Sequence, residues 1–139
     1  MDKLVSEHFN PVRLHVKKHP EAMGRFGANW TPTVMILDAA GNERHRIEGF
    51  LPADEFLAQL HLGLGQEAFK NGRYTEAESH FREVVEQLAA TDSAPEAQYW
   101  AGVSRYKATN DFGALKQTAE AFKQRYADSV WAKKASIWE

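Results

Sequence analysis

Asn29-Trp30-Thr31-Pro32-Thr33-Val34-Met35-Ile36-Leu37-Asp38 is the stretch on which the fold of this chain turns. Pro32 presets a turn, and Thr33 to Leu37 follow as an unbroken run rich in branched apolar residues. Such a run reads as a strand covered on both faces. The turn residues Ala39-Ala40-Gly41-Asn42 come next, then Glu43-Arg44-His45-Arg46-Ile47-Glu48 as a charged strand suited to a sheet edge. Upstream, Pro11 to Val16 sets Val12, Leu14 and Val16 against Arg13 and His15, the period of a further strand. His19 to Phe26 reads as a short helix with Pro20 in its first turn.

From Pro52 onward the pattern is helical. Pro52 to Lys70 carries Phe56, Leu57, Leu60, Leu64 and Ala68 at helical spacing and stops at Asn71-Gly72. Thr75 with Glu78, and Ser93 with Glu96, are candidate capping boxes for the next two helices. Phe112, Leu115, Ala119, Phe122 and Tyr126 mark a fourth, and Ser129 opens a last one bearing Trp131, Ala135 and Trp138. Gly63 and Gly65 weaken the first of these helices by roughly 1 kcal/mol each against Ala, so their use points to close packing.

An internal repeat runs through the helices. Shifting Gly65, Phe69, Tyr74, Ala77 and Phe81 by 37 residues gives Gly102, Tyr106, Asp111, Ala114 and Thr118. Ala97 and Trp100 echo in Ala135 and Trp138. The unit Gly-x2-Ala-Phe-x-x-Gly-x-Tyr-x2-Ala-x3-Phe, from Gly65 to Phe81, resembles a tetratricopeptide (TPR) repeat. The small Gly65 and Ala77 would let a helix pair close up, with Phe69 and Phe81 filling the space between. The second unit is degenerate, and the spacing exceeds the usual period of about 34 residues.

Residues 1–60 resemble the second half of a thioredoxin-fold domain. The likeness runs through Phe9 to Val16, Phe26-Gly27, Thr31-Pro32-Thr33, Leu37 to Glu43, and Ile47 to Leu51. In that family the proline matching Pro32 is cis and faces a redox-active Cys pair, and Gly49 matches a glycine beside the loop. Trp30 departs from the small residue usual two places before that proline. The chain contains no cysteine, so it has no thiol to exchange and no catalytic residue is assigned. The resemblance also implies a central strand between those matching Val12–Val16 and Thr33–Leu37. Three arrangements would supply it: direct pairing of the two remaining strands, a homodimer through the unpaired sheet edge, or a longer protein with the strand and a Cys-x-x-Cys upstream of Met1.

The expected fold class is therefore α/β plus all-α. An incomplete thioredoxin-like unit with a short mixed sheet would occupy residues 1–60. A TPR-like antiparallel helical array with a C-terminal capping helix would occupy 61–139, and the helix from Pro52 to Lys70 would join them.

The 139 residues carry 43% apolar and 26% charged residues and a net charge of -2, with a sequence pI near 6.3. This balance is globular and argues against a nucleic-acid surface, which needs an excess of Lys and Arg. No apolar run reaches the roughly 20 residues of a membrane span. Met1 to His8 lacks the pattern of a signal peptide, which leads to an expected cytoplasmic location. His15 and His19 stand four apart on a strand-like stretch, where that spacing does not build a shared metal site. Asp54-Glu55 and Glu76/Glu78 sit in first helical turns, where the dipole accounts for them. No cofactor is expected.

The expected activity is non-catalytic binding of an extended or unfolded polypeptide. The candidate residues are Trp30, Thr31 and Pro32 in the loop, where a missing N–H on proline leaves neighbouring groups free to pair with a peptide. On the helices, the TPR resemblance implies a groove lined by Gln66, Lys70, Tyr99, Val103 and Lys107. Tyr99 and Tyr106 either face that groove or pack in the core. The alternative is the C-terminal part of a thiol-disulfide oxidoreductase or redox-linked chaperone.

Overall fold

The computed structural model describes residues 1–139. The elements are α1 (Asp2–His8), α2 (Pro20–Arg25), β1 (Thr33–Leu37), β2 (Glu43–Glu48), α3 (Ala53–Lys70), α4 (Tyr74–Gln87), α5 (Ala94–Thr109), α6 (Gly113–Gln124) and α7 (Val130–Ala135), with a closing 3-10 turn at Ser136–Trp138. The chain divides into two compact units. One is Met1–Val34 with Glu48–Phe50, and the other is Met35–Ile47 with Leu51–Glu139.

The first unit carries α1, α2 and the Pro32 loop. No residue of α1 or α2 is buried. Pro20 opens α2, its fixed φ and missing N–H suiting a first helical position. The strand expected over Val12–Val16 does not form. Those residues run as irregular chain into a turn in which Lys18 and His19 both donate backbone N–H to His15 O at 2.9 Å. Val12 is 80% exposed. Alternation gives a segment one apolar side, but a strand also needs a neighbour for its N–H and C=O groups. The sheet contains β1 and β2 alone, so direct pairing of Val12–Val16 with β1 is not the arrangement adopted. The sheet is a two-stranded antiparallel hairpin, where a short mixed sheet was expected.

Asp38 organises the hairpin turn. Its carboxylate accepts backbone N–H from Ala40 at 3.0 Å and Asn42 at 2.9 Å, and the Arg44 Nε at 3.0 Å. Asp38 N–H donates to Asn42 O, also at 2.9 Å. Gly41 supplies the positive φ that the turn requires. Ile36 and Ile47 are the buried residues of the two strands.

In the second unit the helices pack in sequence order, α3 on α4, α4 on α5, α5 on α6, with α7 against α5 and α6. Leu62, Phe81 and Val84 are fully buried among Ala58, Ala68, Ala77, Ala94, Ala97 and Ala101. The many alanines set the helix spacing, and Phe81 fills what they leave. Glycine appears where helices approach most closely. A Cβ at Gly65 would meet the Phe81 ring, and one at Gly102 would stand 2.8 Å from both Cβ and Cγ2 of Thr118. At Gly63 it would crowd Ile36 and lie 3.2 Å from His45 Cβ, so this glycine seats the hairpin on α3.

Polar links tie successive helix pairs together. Glu55 accepts Asp92 N–H with both carboxylate oxygens at 3.1 Å, and Tyr126 OH donates to Ala89 O at 2.7 Å. Both links join residues 37 apart, the same spacing as the sequence repeat. Gln59 bridges three elements. Its Oε1 lies 2.6 Å from His45 Nε2 on β2, and its Nε2 donates to Ser93 Oγ at 2.9 Å.

These contacts replace the expected capping boxes. The helix after Gly72 begins at Tyr74 with Arg73 as N-cap, one residue ahead of Thr75, and no side chain caps it. Arg73 instead pairs with Glu67 and Glu76. Ser93 is the N-cap of α5 but makes no capping hydrogen bond, its hydroxyl being engaged by Gln59. At α7 the Ser129 hydroxyl does accept Ala132 N–H at 3.0 Å.

Candidate functional site

The Pro32 loop lies wholly in the first unit. The Thr31–Pro32 peptide bond is cis. Thr33 Oγ1 donates to Trp30 O at 2.6 Å, closing the loop on itself. Gly49 N–H donates to Pro32 O at 2.8 Å, and Gly49 adopts φ +88, a conformation open to glycine. A Cβ at Gly49 would lie 4.0 Å from the Trp30 ring, which places the indole beside the Gly49–Phe50 backbone. Two segments distant in sequence, 29–33 and 49–50, are thus held together by one backbone bond.

The outer face of this arrangement is apolar and exposed. Trp30 is 67% exposed and Phe50 is 82% exposed, with Thr31 and Pro32 exposed beside them. Exposed large apolar side chains grouped in a patch are uncommon on a folded chain. Phe50 was not among the residues singled out from sequence. Its signal was present: an aromatic residue between Gly49 and Leu51-Pro52, outside any helical or strand period.

The five candidate residues on the helices lie in the second unit and are more dispersed in environment. Gln66 and Val103 are half-buried, and Lys70 and Lys107 are exposed at the C-terminal ends of α3 and α5. The Lys107 ammonium sits 5.6 Å from the Tyr74 ring centroid, a cation–π contact with the start of α4. Tyr99 is enclosed by aromatic rings. It stacks on Trp138 at 5.0 Å and meets Trp131 at 5.3 Å and Trp100 at 5.4 Å. Lys134 lies over the outer face of Trp131 at 4.0 Å. Trp131 and Trp138 therefore cover Tyr99, and Tyr106 makes an edge contact with Phe112.

Electrostatics in this unit are set by burial and local bonding. Hydrogen bonds from the Asn42 backbone, the Asn42 side chain and Arg44 hold the Asp38 carboxyl down at about 2. Burial lowers His45, against the opposing pull of Gln59. Burial raises Glu96, partly offset by Lys134. No three His, Cys, Asp or Glu side chains cluster as metal ligands, and no helix is long and apolar enough to cross a membrane.

No curated protein and no solved structure matches the chain. A family model described as a thioredoxin-like domain matches residues 2–63, which supports a thioredoxin-like domain over that stretch.

Proposed function

We propose that this chain is a non-catalytic protein-interaction module that holds extended or unfolded polypeptide. The observation that carries this reading is the exposed pair Trp30 and Phe50, set beside Pro32 by the Gly49–Pro32 bond. A thioredoxin-like loop without cysteine keeps the shape of a peptide-facing surface and lacks the thiols for exchange. The helices from residue 61 onward are read as a TPR-like array. What supports this is the recurrence of Gly65 against Phe81 as Gly102 against Thr118, and the links between residues 37 apart. In this reading the array offers a second surface through Gln66, Lys70, Val103 and Lys107, while Tyr99 serves packing under Trp131 and Trp138.

NMR shift mapping with a permanently unfolded, carboxymethylated polypeptide tests the assignment. Shifts centred on 29–33 and 49–50 support the loop as the site. Shifts confined to Gln66, Lys70, Val103 and Lys107 move the site to the helices, and no shifts at either place remove the reading.

A second reading is that these residues are the C-terminal part of a thiol-disulfide oxidoreductase or redox-linked chaperone, its Cys-x-x-Cys encoded upstream of Met1. The family match from residue 2 and the unpaired outer edge of β1 favour it. An in-frame Trp-Cys-x-x-Cys shortly upstream of Met1 would support it, and an upstream stop codon without one would exclude it.

A further inference from the structure

On the helical unit, away from the groove implied for Gln66 and Val103, a cleft of about 220 Å³ opens between α4, α5 and α6. Gln98, Gly102 and Arg105 line it from α5 at helical spacing, facing Arg82 of α4 and Gln117 and Thr118 of α6. Gly102 shapes the floor. With no side chain at that position Thr118 closes onto the α5 backbone, and the longer residues above it form the walls.

The polar equipment of the cleft is dominated by donors. Two guanidinium groups and two carboxamides line it, and no carboxylate does. Arg82 has one acidic partner, Glu78, at the long distance of 3.3 Å. The Gln98 Nε2 is buried with no hydrogen-bond partner. That atom is shielded from the cleft, so the donors open to a ligand are the two guanidinium groups and the Gln117 carboxamide. Paired guanidiniums suit planar or tetrahedral oxyanions because each presents two parallel N–H groups.

We propose that this cleft binds a small oxyanion, its oxygens accepting from the guanidinium groups of Arg82 and Arg105. The ligand chemistry is shared by phosphate and carboxylate, and titration with inorganic phosphate and with succinate distinguishes the two. The test is an amide NMR titration of the full chain, with sodium chloride at matched ionic strength as reference, reading the Gln98 and Gln117 side-chain NH2 groups and the Gly102 N–H. The expected result is a saturable shift with phosphate or succinate that chloride does not produce. Arg105→Gln, at an exposed position, is expected to weaken that binding about tenfold while leaving the rest of the spectrum in place. Arg82→Gln is expected to act in the same direction. Absence of saturation with both anions, equal shifts with chloride, or unchanged affinity in Arg105→Gln would overturn the proposal.

Discussion

Gly65 on α3 lies flat against the ring of Phe81 on α4: a Cβ at position 65 would stand 2.5 Å from Phe81 Cε1. Phe81 is fully buried in the core cluster. Gly65→Ala therefore sets two effects against each other. Helix propensity favours alanine by about 1 kcal/mol, and overpacking costs about 1–3 kcal/mol. The second wins at this position, and urea denaturation should show a net loss of stability. Gly24 in α2 is the control, because nothing lies within 4 Å of a Cβ there and its φ is not positive. Gly24→Ala should leave stability unchanged or raise it.

Ser104 on α5 is 0% exposed and its hydroxyl has no hydrogen-bond partner. An unmet buried hydroxyl carries a desolvation cost of about 1–3 kcal/mol. Ser104→Ala removes the cost at the expense of one small atom. Its denaturation midpoint is expected to rise by an amount equivalent to about 1 kcal/mol; a fall would mean the hydroxyl is satisfied in solution.

Asp38 and His45 both make the fold sensitive to acid; Glu43, held down by Arg46, adds to the loss and Glu96, raised by burial, works against it. Asp38 is depressed from 3.8 to about 2 by the Asn42 backbone first and by Asn42 and Arg44 side chains after it. Its contribution is complete above the unfolded value of 3.8 and is lost as pH falls through about 2. His45 is lowered by burial. Below its unfolded value of 6.5 the unfolded chain takes up the proton first, so stability declines as pH drops from there through the folded value. Thermal unfolding against pH should show both limbs. His45→Asn should flatten the upper one and Asp38→Asn the lower one.

The hairpin and the helices were legible because their signals are local. Thr33–Leu37 carries branched apolar residues and Glu43–Glu48 the charge of an edge strand on either side of a turn, and Ala53–Lys70 carries one apolar face ended by Asn71-Gly72. Gly65 and Gly102 each sit where a side chain of the following helix leaves no room for a Cβ. Val12–Val16 misled because alternation encodes a side of a strand and says nothing of the neighbour that completes it. The caps at Thr75 and Ser93 misled for a related reason. Glu55 and Gln59 reach Asp92 and Ser93 from 37 and 34 residues away, bonds that exist only once the helices are packed, and Arg73 is taken by Glu67 across the α3–α4 turn.

At the candidate site, Trp30, Thr31 and Pro32 read as a loop, and they form one. Phe50 was missed because its nearness to Trp30 depends on the Gly49–Pro32 bond, a pairing across the hairpin that one stretch of sequence does not display. Tyr99 sits on a helical face that sequence spacing leaves shared between groove and core. The rings of Trp131 and Trp138, from the far end of the chain, enclose it.

In the proposed function, Trp30 and Phe50 hold an extended chain. The most direct measurement is the affinity of a fluorescently labelled, carboxymethylated polypeptide for the protein and for its Trp30→Ser/Phe50→Ser variant, read by anisotropy. Both residues are largely exposed, so the variant should keep its thermal midpoint. The variant is expected to bind at least about tenfold more weakly than the unsubstituted chain. Equal affinity in a variant of unchanged stability would contradict the account.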